Sequence, residues 1–167
     1  MNKASHIKDV SLISEHRVNV RTKSSGEIVS LNISKKKGEK KKPVSSLTLI
    51  KEKGVKSDAH FSSERQLSLL PLESVRRMKN AGLEVGPGSF AENITMVGIE
   101  PSLLKIGQRL KIGPVIVEVT HIGKDCHKPC AIYKEAGYCV MPTDGVFAKI
   151  LSSGEVRNGD TIEIVKN

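Results

Sequence analysis

GQRLKIGPVIVEVT, residues 107–120, is the stretch on which the reading of the chain turns. Gly113-Pro114 splits it into two short arms. In the second arm Val115, Val117 and Val119 share one face, while Ile116, Glu118 and Thr120 share the other. A period of two beside a Gly-Pro break predicts a hairpin-like pair of strands. Similar segments lie on either side. After Gly26, Val29, Leu31 and Ile33 alternate with Ser30, Asn32 and Ser34, which predicts a half-buried strand. Val44–Ile50, Gln66–Leu70, Val146–Leu151 and Thr161–Val165 read as further strands. Gly54 with Ser57-Asp58, Gly86-Pro87-Gly88 and Asn158-Gly159-Asp160 supply turns between them. Leu72–Ala81 is the one clear helix: Leu72, Val75 and Met78 form an apolar stripe, Pro71 sits near its start and Gly82 at its stop. Many short strands, frequent turns and one helix predict an all-β barrel with a helical insert.

Composition sets the bounds. At 167 residues a single domain is expected. The apolar content is carried by Val, Ile and Leu, with no Trp, three Phe and two Tyr, and that favours strands. The first ten residues contain no apolar core of a signal peptide, so a cytoplasmic location, with no membrane, is expected. Cysteines there work as thiols and not as a disulfide frame. The net charge of +9 resides in residues 1–56, which hold 14 Lys/Arg against 5 Asp/Glu. Residues 1–25 show no clear period and read as a loosely ordered extension or an extra strand. The run KKKGEKKKP, Lys35–Pro43, reads as an exposed connection. Basic surfaces attract nucleic acid, but no aromatic residue is interleaved here for base stacking, which argues against that partner.

Chemistry concentrates after the hairpin, in THIGKDCHKPCAIYKEAGYCVMPTDGVFA, Thr120–Ala148. It contains Cys126, Cys130 and Cys139, all the cysteines of the chain. The spacings C-x₃-C and C-x₈-C are a poor match to structural zinc, even with His121 or His127 as a fourth ligand. A reactive thiol fits better. Lys124, His127 and Lys128 flank Cys126 and Cys130, and Cys130-Ala131-Ile132-Tyr133 can open a short helix whose dipole favours a thiolate. Cys130 is then the working thiol, with Cys126 as a neighbour for sulfur relay or a transient disulfide. Cys139, between Tyr138 and Val140, reads as a small buried hydrophobe. A thiolate here can attack an electrophile, carry sulfur as a persulfide or bind a soft metal, and sequence physics does not choose among the three. Elsewhere Asp58, His60 and Arg65 share one short segment, where capping and solvent exposure are the commoner roles. Glu92 and Asn93 sit side by side between apolar residues, and either cap nearby backbone or face a pocket.

Taken in order, GVKSDAH, RQLSLL, PGSFAENIT, IGQRLKIG, VEVTHIGKDCHKPCAIY, CVMPTDGVFAKIL and GEVRNGDTIEI resemble the small stand-alone MOSC-domain proteins, akin to the C-terminal domain of molybdenum-cofactor sulfurase. The resemblance spans roughly Gly26 to Val165 and assigns residues 26–167 to one MOSC domain. It implies a mainly β fold: a closed barrel like that of pyruvate kinase, with one or two short helices inserted. It also implies a key cysteine that carries sulfur or ligates molybdenum, a role that Cys130 matches best and Cys126 in the small-protein branch. Asp58 and His60 match the family's G-D-x-H turn, with Ser57 standing where glycine is usual. Arg65, Glu92 and Asn93 match further motif positions. As the pterin cofactor carries a phosphate, Arg65, Lys124 or Lys128 is a candidate partner for it. Molybdenum-ion and pyridoxal-phosphate binding come with the resemblance as family-level expectations. The functions implied are handling of the molybdenum cofactor (molybdopterin), or carriage of persulfide sulfur for cofactor or metal–sulfur cluster assembly. The partners are then the cofactor or a persulfide donor protein. One alternative is a molybdenum-cofactor-dependent reductase of N-hydroxylated compounds, alone or with a partner subunit. Another is a basic nucleic-acid-binding barrel.

Overall fold

The computed structural model describes residues 24–126 and 130–166. The expectation for the N-terminal extension, and those for His127 and Lys128, lie outside these residues. In chain order the strands are β1 (Ser25–Ile33), β2 (Lys42–Val44), β3 (Ser46–Ile50), β4 (Gly54–Val55), β5 (Leu67–Pro71), β6 (Ile94–Val97), β7 (Arg109–Ile112), β8 (Val115–Ile122), β9 (Val146–Ile150), β10 (Gly154–Arg157) and β11 (Thr161–Ile164). The helices are α1 (Leu72–Asn80), α2 (Ala131–Ala136) and α3 (Met141–Asp144).

Seven strands close a barrel in the order β11-β7-β8-β9-β5-β6-β1, with β1 returning to β11. Closure removes the free edges that an open sheet would leave. The predicted hairpin is its spine: β7 and β8 pair antiparallel with Ile112 opposite Val115. Val115, Val117 and Val119 all point into the core and are buried. The one parallel pairing among the described strands, β5 with β6, is made possible by α1, which crosses between them. β2 hangs from β1 outside the ring, and β10, β3 and β4 form a separate three-stranded sheet. The inward residues of that sheet, Leu47, Leu49, Val55 and Val156, join the barrel's own apolar cluster. A second apolar cluster lies on the outer side, where α1, α3, Leu83 and Phe90 pack over Leu70 and Phe147.

Several local expectations are corrected. Val29 does not share the inner face with Leu31: a register shift between Ile28 and Ser30 turns Ile28 inward and leaves Val29 37% exposed. A bulge places an extra residue in one strand and so reverses the alternation that follows from sequence. The polar side of β1 is not solvated either, because Ser30, Asn32 and Ser34 are all buried. The single strand expected over Val44–Ile50 is two, β2 and β3, belonging to different sheets. Ile94–Val97 and Gly154–Arg157, which sequence pattern alone does not mark as strands, are strands.

Candidate functional site

Three loops meet on the polar side of β1, and buried side chains hold them together. Lys41 leaves the lysine-rich loop and turns inward. Its ammonium lies 2.7 Å from Asp58 Oδ1, with both side chains only 1% exposed. The run Lys35–Pro43 is thus not wholly a solvated connection, since one of its six lysines is spent on a buried ion pair. Asp58 also accepts hydrogen bonds from the backbone N–H of Ser34 at 3.1 Å and of His60 at 3.1 Å. Burial alone would raise the Asp58 pKa. The Lys41 ammonium and the two N–H groups outweigh it and hold the carboxyl below the usual carboxylate range. His60 Nδ1 stands 3.6 Å from Asp58 Oδ2. Burial, together with the positive charge of Lys41, pushes the imidazole below its ordinary pKa despite that carboxylate. His60 is therefore a neutral base at physiological pH. Ser57, which precedes this pair, has φ of 66°, the left-handed region that glycine occupies freely.

Glu92 and Asn93 brace the third loop. Glu92 accepts from the N–H of Gly88 at 2.6 Å, the N–H of Phe90 at 3.1 Å and the hydroxyl of Thr95 at 2.8 Å. Burial pushes its pKa up, against the pull of these donors. Thr95 in turn accepts from the Asn32 amide, and Asn32 accepts from Ser30. Asn93 donates to the Asn32 carbonyl and accepts from the Ser68 N–H. The Gly88 carbonyl accepts from the Lys41 N–H at 2.9 Å, so the third loop is fastened to the first. Gly88 has φ of +86°, and a Cβ there would lie 2.2 Å from the Lys41 carbonyl oxygen, which makes the crossing a glycine position. Glu92 is 0% exposed and Asn93 2%. Neither lines an open pocket. Their polar atoms are consumed internally, as capping would require, and Asp58 is consumed in the same way.

Cys130 is exposed and occupies the position immediately before α2, and Cys126 is exposed in the connection between β8 and α2. Cys139 is half-buried against the outer apolar cluster and does not stand apart from the other two. Burial pushes its pKa up. The N–H groups at the start of α3 act against that rise, while the proximity of Cys130 and Cys126 adds to it. Sequence alone left Cys139 as filler, because eight intervening residues gave no sign that α2 brings it back towards the first two. Arg65 is exposed, and its guanidinium lies over the ring of Phe147 at 5.6 Å from the centroid. Lys124 is half-buried.

Against the first turn of α2, which follows Cys130, opens a cavity of about 280 Å³. Leu83, Val85 and Ile132 form its apolar wall, Ala131 follows directly from the thiol, and Lys40, Glu84 and Glu135 supply charge. The cation here comes from the lysine-rich loop. Only a three-dimensional signal finds it: the buried ion pair of Lys41 fixes the neighbouring Lys40 over α2. Among the described residues no group of three or more His, Cys, Asp or Glu side chains is arranged to hold a metal ion. A soft metal at Cys130 would therefore have to arrive with most of its ligands already in place, as in an organic cofactor. A reachable thiol with one soft donor atom beside a cavity fits such a group, and it equally fits a sulfur carrier.

Residues 56–163 match the MOSC domain family. No curated protein sequence matches the chain. Solved structures of similar fold include the YUAD protein from Bacillus subtilis, with a TM-score of 0.70 and 17% identity over 84% of this chain and 95% of that one. YiiM from Geobacillus stearothermophilus gives 0.63 and 20% identity over 84% of this chain and 75% of that one. YiiM from Escherichia coli gives 0.59 and 19% identity over 85% and 69%. At such identities the likeness is one of fold.

Proposed function

This chain belongs to the MOSC-domain family, and we propose that it handles the molybdenum cofactor, or sulfur destined for it, through Cys130. The observation that carries this reading is the exposed thiol of Cys130, whose chain neighbour Ala131 lines a cavity of about 280 Å³ with Lys40 among its charged residues. An exposed sulfur can be approached in line by a donor, as a buried structural cysteine cannot. In sulfur carriage, the Cys130 thiolate attacks the outer sulfur of a donor persulfide. A new S–S bond forms, the donor's own S–S bond breaks, and the donor departs as its thiolate. No external oxidant or reductant enters, because one sulfur–sulfur bond replaces another. In cofactor binding, Cys130 would be the residue that holds the molybdenum, and the group would supply two-electron redox chemistry when bound. The apolar wall of Leu83, Val85 and Ile132 suits a flat ring, and Lys40 suits an anionic end. Neutral His60 is held by the Asp58 turn as a proton acceptor on the same side as the lysine-rich loop.

The test is loading. Purified protein is incubated with molybdenum cofactor, or separately with a persulfide donor, and its intact mass is measured under native conditions. Wild type should gain the cofactor mass or one sulfur, and Cys130→Ser should gain neither. Equal loading of the two proteins would overturn the assignment. Turnover of an N-hydroxylated compound by the cofactor-loaded chain alone would move the reading from carrier to reductase.

A further inference from the structure

We propose that the loop joining β1 to β2, together with the adjoining cavity, is a docking surface for a short acidic segment of a partner protein bearing one aromatic anchor. Lys35, Lys36, Lys37 and Lys40 are exposed on this loop, and Glu39 is its single acidic residue. Like charges so close together repel, and a free loop would spread them. Here the loop is pinned at its base. Lys41 is buried against Asp58, the Lys41 N–H bonds Gly88, and the Ser34 carbonyl accepts from the Ala59 N–H at 2.8 Å. A buried ion pair is weak support for stability but a good device for fixing one arrangement. What it fixes is a set of cations that makes no ion pair within the described chain.

Charge decides the occupant. Lys40 reaches the cavity, where Glu84 and Glu135 stand on the rim and Leu83, Val85 and Ile132 form the wall. A continuous polyanion such as nucleic acid would run from the lysines into these two carboxylates and be repelled, and the loop offers no aromatic residue for base stacking. A short acidic segment stops at the lysines and hands one neutral side chain to the apolar wall. Aromatic side chains are the usual anchors of that kind. Because Ala131 lines the same cavity, the docked segment lies next to Cys130. The surface stands whether or not Cys130 carries sulfur, since nothing in the recognition uses the thiol. With the reading above, it is the place where a donor or acceptor protein would be received.

The experiment is fluorescence anisotropy at low salt with the full chain. The probe is a labelled ten-residue peptide of Glu and Asp with one central Phe. Its counterpart with Ala for Phe and a ten-nucleotide oligo-dT are compared. Replacing Lys35, Lys36, Lys37 and Lys40 together by Gln should weaken peptide binding by about tenfold or more. Losing the peptide's Phe should cost about tenfold in wild type. Ala131→Trp, which fills the cavity from an exposed position, should lower binding of the Phe peptide to that of the Ala peptide. Equal binding by the lysine variant, indifference to the peptide's Phe, or tighter binding of oligo-dT would each overturn the proposal. The Phe comparison needs no variant protein, so a folding defect cannot mask the result. Loading of Cys130 is scored separately by mass.

Discussion

At the scale of single residues, the Asp58 turn carries the sharpest consequences. Removing the Lys41 ammonium leaves a carboxylate buried without its counter-ion. Lys41→Met should cost about 3–5 kcal/mol in urea unfolding, and the Lys41→Met/Asp58→Leu double variant distinctly less. Acid should act on this turn in two windows. His60 has a lowered pKa in the folded state, so folding takes up fewer protons and stability falls as pH drops below the unfolded value of about 6.5. Asp58 is also lowered, so its contribution is present above its unfolded value of about 3.9 and is lost as pH falls through the folded value. His60→Gln should flatten the upper limb of stability against pH, and Asp58→Asn the lower. A single limb unaffected by either change would refute the argument. Glu92 has the opposite sign, since its raised pKa favours the folded state at low pH and the benefit fades as pH rises. Ser57 at φ 66° bears the strain that its neighbours' motif assigns to glycine. Ser57→Gly should stabilise by about 0.5–1 kcal/mol, the left-handed penalty less the entropy cost of glycine. The motif made that residue legible in advance. Lys41 was not legible, because six lysines in a row of nine give no hint that one of them points inward.

At the scale of elements, what could be read depended on whether a strand has one polar face in water. β7 and β8 do, and their alternation matched their burial: Leu110, Ile112, Val115 and Val117 are all 0% exposed. β1 does not. Its outer face lies under the loops, so Ser30 and Asn32 are polar yet buried, and the bulge after Ile28 shifts the register. Sequence marks such positions as polar without saying that their partners lie more than sixty residues away, as Thr95 does for Asn32. β6 was hidden for a related reason: only four residues long, it pairs with β1 and β5, and its Thr95 belongs to the polar network. Thr95 is the middle of the chain of hydrogen bonds from Ser30 to Glu92. Thr95→Val keeps the shape, removes one donor from Glu92 and strands the Asn32 amide. It should destabilise by about 1–3 kcal/mol, read from the thermal midpoint. A neutral outcome would mean that water replaces the hydroxyl.

At the scale of the whole molecule, the site joins two bodies of unequal strength. The barrel cluster contains 21 buried apolar side chains and the outer cluster eight, among the described residues, so the first resists opening more than the second. Cys130 and Cys126 lie outside both clusters, while Cys139 leans on the weaker one. α3, next in sequence, is tied to α1 by Asp144, which accepts from Ser74 at 2.7 Å and pairs with Arg77. This arrangement suits a protein that must keep a rigid frame while admitting a guest beside a thiol. It also predicts an order of reaction. With a thiol reagent at neutral pH, two cysteines should label quickly and Cys139 at least about tenfold more slowly, since it is half-buried and its thiol is pushed up. In increasing urea, Cys139 should become reactive before the far-ultraviolet circular dichroism of the barrel changes. The outer cluster then opens as a unit of its own, at a free energy below that of global unfolding. Asp144→Ala, which cuts the tie to α1, should move the Cys139 transition to lower urea and leave the barrel transition nearly in place. Labelling of Cys139 that coincides with barrel unfolding in both proteins would instead make helices and barrel one cooperative body.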